Sequence, residues 1–243
     1  MELSYFALAC VTLTALLVGF SKTSVGGVGI LAVLLMAMAF PGKASPGVLL
    51  PMLIVADIFA VIYYRRDCKW SILIKILPMT AVGIFIGYLL VDIIPFEIFE
   101  KVIGAIILAM LVMGLVLENH KQSFASIGIW TYFVGIIAGV VTMIANAAGP
   151  VFGVFLLQMG LTKQSFVGTR SWYFLILNIF KVPFSANLGL ITADTLLLNL
   201  LFIPVIFIGA VLGAKFLKMI NLIVFKWLIR ITALIAAVRL MIF

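Results

Sequence analysis

The stretch GFSKTSVGGVG at residues 19–29 and the stretch GVVTMIANAAGP at residues 139–150 interrupt two long apolar runs. Both stretches are rich in glycine and small polar residues. The second run, residues 122–162, has no charged side chain, and as a single helix it would be about 60 Å long, roughly twice the hydrocarbon thickness of a bilayer. The same argument holds for the first run, residues 3–40. Each run must therefore turn back on itself. We predict two helical hairpins whose tips lie at these stretches, inside the membrane.

The composition is that of a membrane protein. Of the 243 residues, 66% are hydrophobic and 10% are charged, whereas a soluble chain is about half apolar and about a quarter charged. A membrane-spanning helix needs about 20 mostly apolar residues. The apolar segments are 3–20, 28–40, 45–64, 72–91, 98–117, 127–145, 149–160, 166–183, 195–217 and 222–243. We therefore expect one all-α integral membrane domain over residues 1–243.

The two halves of the chain repeat the same glycine positions. The matched glycines are Gly19 with Gly139, Gly29 with Gly149, and the pair Gly83 and Gly87 with the pair Gly209 and Gly213. Three full-length spans follow each hairpin, and this odd number of crossings inverts the second half relative to the first. We predict two inverted repeats, 1–120 and 121–243, with about eight transmembrane elements in all, which is the plan of many secondary transporters.

The net charge of +8 has its origin in the loops. Basic residues lie mostly between the apolar runs, as expected of cytoplasmic loops. They do not form the compact basic domain that would indicate a nucleic-acid partner. One face of the chain collects Arg65, Arg66, Lys69, Lys121, Lys163, Lys215 and Lys218. With this face in the cytoplasm, the chain is a multi-pass protein of the inner (plasma) membrane with both termini outside.

Four charged residues fall within or beside apolar spans, namely Lys22, Asp57, Arg170 and Lys181. Each costs at least ~2.5–3.5 kcal/mol on insertion scales, so intramembrane charges are candidates for function. Asp57 corresponds in the second repeat to the region of Asn178, and it could bind a coupling proton, neutralise a cation or pair structurally. Arg170 and Lys181 could shape an entry path or reach an interface with their long side chains.

The hairpin tips are suited to an anion. A helix that begins inside the membrane presents free N–H groups and the positive end of its dipole. The tips also carry hydrogen-bond donors. These are Ser21, Lys22, Thr23 and Ser24 in the first tip and Thr142 and Asn146 in the second. We predict a pocket for a small oxyanion such as sulfite or a sulfonate. The alternative is that the small residues of the tips only allow close helix packing.

Motifs for catalysis are missing from the sequence. It has no phosphate-binding loop, no HExxH, no CxxC and no plausible nucleophile and base pair, and the single histidine, His120, lies in a charged loop. We expect no enzyme activity, no cofactor and no metal site. Cys10 and Cys68 lie near opposite ends of neighbouring spans, which argues against a disulfide between them.

The chain resembles the sulfite exporter TauE/SafE family of bacterial membrane proteins. The residues that carry the resemblance are LLVGFSKTSVGGVGILAVLL, its echo GIIAGVVTMIANAAGPVFGVFLL, and KQSFVGTRSWYFLILNIFKVPF at 163–184. The resemblance implies export of sulfite, sulfoacetate or a related organosulfur anion. It also assigns the tip of the site to Gly26, Gly27, Lys22 and Asn146. The second tip departs from the family pattern, because ANAAGP replaces a more glycine-rich stretch.

Residues and resemblance together predict a secondary transporter that works by alternating access, with the anion held at the two tips. Its partners are then a small anion and the lipid bilayer, and the oligomeric state, a homodimer included, stays open. An anion channel is the nearest alternative. A membrane thiol relay and an assembly protein without a substrate are two others.

Overall fold

The computed structural model describes residues 4–26, 29–40, 44–90, 93, 101–102, 104–112, 128–146 and 148–242. These residues form helices and connecting turns, with no strand among them. The helices are α1 (Tyr5–Thr23), α2 (Gly29–Ala39), α3 (Ala44–Tyr64), α4 (Trp70–Leu90), α5 (described at 101–102 and 104–112), α6 (Gly128–Ala145), α7 (Ala148–Leu157), α8 (Lys163–Asn187), α9 (Ala193–Met219) and α10 (Leu222–Ile242). The predicted all-α fold class is confirmed. Gly27, His120 and Lys121 lie outside the described residues.

Helix length and composition are those of an integral membrane protein. In the described part of the chain, α1, α4, α9 and most of α3 are long and apolar enough to cross a bilayer. By contrast, α2 has 11 residues and α7 has 10, about 15 to 16 Å at the helical rise, which is half of a hydrocarbon core. Each predicted hairpin therefore combines one long helix with one short helix.

A side-chain cap at its start and an internal proline that does not end it explain the bounds of α8. Thr162 precedes the helix, and its hydroxyl accepts a hydrogen bond from the Ser165 N–H at 3.2 Å, which satisfies one of the free N–H groups of the first turn. The helix then continues through Pro183 to Asn187. It is longer than the predicted segment 166–183 at both ends. The cap fixes its start, and a membrane helix tolerates an internal proline because neighbouring groups satisfy the freed backbone groups.

The matched glycines lie at two corresponding helix contacts. Helix α1 packs against α9, and α4 packs against α6. A methyl group at Gly19 would overlap the carbonyl oxygen of Ile206 in α9, and one at Gly139 would overlap that of Thr80 in α4. The reciprocal glycines, Gly209 and Gly83, would likewise overlap carbonyl oxygens of α1 and α6. Their shared role is close backbone approach, as small residues provide in membrane helices.

The buried apolar residues form two clusters. One cluster draws on α1, α2, α3 and α9, and the other draws mainly on α4, α6, α7, α8 and α10. Helices α3 and α8 pack against each other and so join the two. The buried charged side chains Asp57, Arg170 and Lys181 belong to these two helices, which places the polar centre of the molecule at the junction of the clusters.

Candidate anion site

An ion pair joins α1 to α3 at the centre of the site. Nζ of Lys22 lies 2.8 Å from Oδ1 and 2.9 Å from Oδ2 of Asp57. The Asp57 side chain is 0% exposed, and that of Lys22 is 12% exposed. A buried carboxylate needs both a counter-charge and hydrogen bonds, and the side-chain amide of Asn178 in α8 supplies a further donor to Oδ2 at 2.8 Å. Asp57 and Asn178, which the sequence predicted to correspond between two repeats, are thus in direct contact.

Arg170 of α8 closes the C-terminal end of α1. Its Nη2 donates to the backbone carbonyls of Ser21 at 2.7 Å, Lys22 at 3.0 Å and Ser24 at 3.1 Å. The last carbonyls of a helix have no partner within the helix and form the negative end of its dipole, so a buried cation satisfies both. With 2% of its surface exposed, Arg170 does not extend to an interface.

Lys181, also on α8, does the same for α6. Its Nζ donates to the Thr142 carbonyl at 2.8 Å, to the Thr142 hydroxyl at 3.3 Å and to Oδ1 of Asn146. Lys181 is 1% exposed. One helix therefore carries the two cations that cap both interrupted helices.

A cavity of about 60 Å³ lies between these groups. A cavity needs about 10–15 Å³ to hold one water molecule, so this cavity has room for a few waters or one small oxyanion. Its lining consists of Val18, Ser21, Lys22, Gly26, Gly29, Val33, Leu53, Thr142, Asn146, Gly149, Pro150, Arg170, Phe174 and Asn178. Three pairs in this lining stand 120 positions apart in the chain, namely Lys22 with Thr142, Gly26 with Asn146, and Gly29 with Gly149. The two hairpins thus contribute matching positions to one cavity.

The hydroxyl groups of Thr23 and Ser24 in the first tip bind backbone, and neither residue belongs to the cavity lining. Thr23 Oγ1 donates to the carbonyl of Ala210 in α9 at 2.8 Å, and Ser24 Oγ donates to the Phe20 carbonyl at 2.5 Å. Gly26 belongs to the lining, and a methyl group there would overlap the guanidinium of Arg170. The tip thus places Ser21, Lys22 and Gly26 at the cavity, whereas the hydroxyls of Thr23 and Ser24 bind backbone carbonyls.

The second tip is held in an uncommon backbone conformation. Asn146 has a φ of 51°, in the left-handed region that asparagine tolerates better than most residues. Its Nδ2 donates to the Pro46 carbonyl at 3.3 Å, and its Oδ1 accepts from Lys181. The residue therefore ends α6 and ties the second tip to both α3 and α8.

Ser21 and Phe174 also line the cavity. Ser21 was expected as a donor of the first tip, whereas Phe174 was not predicted. Ser21 directly precedes Lys22, and its hydroxyl donates to the Gly26 carbonyl at 3.0 Å. The Phe174 ring lies 4.5 Å from Nζ of Lys22, within range of a cation–π interaction. Phe174 precedes Asn178 by one helical turn, so the periodicity of α8 already placed the two side chains on one face.

The electrostatics of the cavity favour a negative ligand. Two buried cations, Arg170 and Lys181, and the largely buried Lys22 lie around one carboxylate, Asp57. Because Arg170 and Lys181 satisfy the carbonyl ends of α1 and α6, the remaining helix termini at the cavity are the N-terminal ends of α2 and α7, marked by Gly29 and by Gly149. Such ends attract anions. No group of three or more metal-binding side chains occurs within the described ranges.

A buried cationic cavity between interrupted apolar helices is the arrangement of a membrane transport protein. The family model described as Sulfite exporter TauE/SafE matches residues 11–240, which is nearly the whole chain. The chain therefore belongs to the sulfite exporter TauE/SafE family, a family of membrane transporters, and the resemblance found in the sequence is confirmed. No curated protein and no solved structure matches it.

Proposed function

We propose that the protein is a secondary transporter that exports a small organosulfur anion, such as sulfite, sulfoacetate or another sulfonate, across the bacterial inner membrane. The observation that carries this proposal is the 60 Å³ cavity, which Lys22, Arg170 and two helix N-termini line together. Family membership supports sulfite and its relatives as the substrate class. All of these anions present several oxygens to a positive site.

The proposed ligands of the anion are the polar groups of the cavity lining. Lys22 supplies the charge, and the side chains of Thr142, Asn146 and Asn178 supply polar contacts. Arg170 and Lys181 hold the tips in place and add positive potential. In this arrangement Thr23 and Ser24 contribute by fixing the end of α1 through their hydroxyl groups.

The matched contacts support transport by alternating access. The contact of α1 with α9 corresponds to that of α6 with α4, and three matched pairs line the cavity. We assign these pairs to inverted repeats at 1–120 and 121–243, which move relative to each other around a fixed central site. Loop charge places both termini outside.

A thiol relay is the less favoured alternative. Cys10 is buried and Cys68 is half-buried, and both are free. Burial raises the pKa of the Cys68 thiol, in the loop between α3 and α4, to about 11. Thiol exchange proceeds through the thiolate, so this environment favours the unreactive form.

The test is anion binding and efflux with purified protein. Sulfite binding is measured by calorimetry in detergent, and efflux is measured from liposomes that hold labelled sulfite. We expect Lys22→Gln to lose binding by at least about tenfold, since a charge-assisted contact is removed from a buried site. Lys69→Gln removes the same charge from an exposed position in the α3–α4 loop and serves as the matched control. Wild-type protein that neither binds nor releases any sulfur oxyanion or sulfonate would exclude the proposal.

A further inference from the structure

The Lys22 ammonium lies between the cavity and Asp57. Lys22 and Asn178 both line the cavity, whereas Asp57 does not, and its side chain is fully buried. Both lining residues donate to Oδ2 of Asp57, Lys22 at 2.9 Å and Asn178 at 2.8 Å, and the Lys22 ammonium lies 2.8 Å from Oδ1. The same donors that an anion in the cavity would need are therefore directed to a carboxylate just beyond the lining.

Lys22 differs in this respect from the other two buried cations. Arg170 and Lys181 donate to neutral groups at helix ends, so their positions belong to the fold. Among the described residues, the Lys22 ammonium contacts the Asp57 carboxylate and the face of the Phe174 ring. Neither contact closes a helix. Lys22 is accordingly the cation of the site that can exchange its partner while the tips stay intact.

We propose that Asp57 is an internal substitute for the transported anion. Its carboxylate neutralises Lys22 while the cavity is empty, and Lys22 leaves Asp57 when an anion binds. The inference rests on the proposed transport function. A carboxylate and a sulfur oxyanion both offer an ammonium group at least two negative oxygens, so they compete for the same donor. A buried cation without a partner is strongly unfavourable, so Asp57 stabilises the empty carrier.

The displaced carboxylate does not become isolated. Asn178 remains hydrogen-bonded to it, and the charges of Arg170 and Lys181 interact with it through space. Exchange of partners is thus a local rearrangement of Lys22 within one group of charges. It allows the carrier to return empty after the anion has left, which net transport requires.

The variant Asp57→Asn distinguishes a residue that competes with the anion from a residue that binds it. Loss of an ordinary ligand weakens binding, but loss of a competitor strengthens it. We expect Asp57→Asn to bind sulfite at least about tenfold more tightly than wild type, the size expected for one close charge pair. Net efflux into sulfite-free buffer should fall at least about tenfold, because the empty carrier now holds an unpaired cation. Exchange of labelled for unlabelled sulfite should persist, because it requires no empty return.

The experiment compares wild type, Asp57→Asn and Asp194→Asn in liposomes with labelled sulfite. Asp194→Asn removes an exposed carboxylate from the start of α9 and should behave as wild type. If Asp57→Asn weakens sulfite binding and reduces efflux and exchange equally, the inference is overturned while transport stands. If wild type neither binds nor moves sulfite or a sulfonate, the proposed function itself fails.

A second measurement uses the wild-type chain, in case Asp57→Asn does not fold. Infrared difference spectra are recorded with ¹³C-labelled aspartate carboxyl groups, before and after addition of sulfite. Exchange of partners should shift a carboxylate band as Lys22 leaves Asp57. Sulfite binding without any change in the labelled bands would overturn the inference.

Discussion

Asp57 of α3 and Asn178 of α8 lie 121 residues apart in the chain and share a hydrogen bond of 2.8 Å. This separation is close to the 120 positions between the three matched pairs of the cavity lining. Asp57 carries a carboxylate and Asn178 an amide, so the pair places a single negative charge beside Lys22. The site is electrostatically asymmetric for this reason.

Asn178→Asp should replace a neutral hydrogen-bond donor to Asp57 by a second carboxylate. A second buried carboxylate beside Asp57 repels it and competes with an incoming anion for Lys22. We expect weaker sulfite binding, by about tenfold or more, and a lower unfolding temperature in detergent. Calorimetry and thermal unfolding provide the measurements. Asn178→Ala removes only the hydrogen bond to a buried charge and should lower stability by about 1.5–3 kcal/mol. Tighter binding by Asn178→Asp would contradict this account.

Arg170→Met should disrupt the end of α1. Three backbone carbonyls lose their donor at once, and an unsatisfied buried carbonyl costs about 1–3 kcal/mol. Thermal unfolding should show a large loss of stability, and sulfite binding should fall with it. Arg170→Lys retains the charge but lacks the planar group that reaches several acceptors, so we expect partial rescue of both. Full stability of Arg170→Met would show that α1 ends without this cap.

Gly26→Ala and Gly149→Ala form a matched pair of substitutions. A methyl group at Gly26 overlaps the Arg170 guanidinium, whereas a methyl group at Gly149 lies 3.7 Å from the Gly26 carbonyl oxygen, which is an ordinary contact. Gly26→Ala should therefore lower both stability and binding. Gly149→Ala should leave stability nearly unchanged and weaken binding by reducing the cavity, because both glycines line it. Equal losses of stability in the two variants would contradict the assigned packing.

The Cys68 thiol should react slowly with maleimide in the folded protein. Its raised pKa of about 11 leaves only on the order of one thiol in a thousand ionised at pH 8. In a Cys10→Ser background, the labelling rate should rise about tenfold per pH unit below this pKa, and denatured chain should label much faster at pH 8. Cys10→Ser with Cys68→Ser should retain sulfite efflux. Loss of efflux in that double variant would favour a thiol relay.

Local features of the sequence predicted the helices closely. The segments 127–145 and 149–160 correspond to α6 (Gly128–Ala145) and α7 (Ala148–Leu157). An uncharged run too long for one crossing required a break, and Asn146 provides it with a left-handed backbone conformation. The predicted segment 166–183 was too short, because the cap at Thr162 and the continuation through Pro183 were not recognised.

The residues that line the cavity were easier to predict than the contacts that they make. Lys22, Gly26 and Asn146 line the cavity, as expected for residues at the tips. The hydroxyl of Thr23 binds a carbonyl of α9 instead, since its direction depends on how α9 packs. The cap that Lys181 provides at the end of α6 was not predicted at all.

The sequence by itself determined that the chain is an all-α membrane protein with interrupted helices and buried charges, because apolar run length and the cost of charge in hydrocarbon are properties of short segments. Only the tertiary structure decided which partner each charge has. Lys22 pairs with Asp57 across 35 residues, and Arg170 caps α1 across 149 residues. The first choice depends on the packing of α1 against α3 and the second on the packing of α8 against α1, because a buried charge takes the acceptor that neighbouring helices bring within reach.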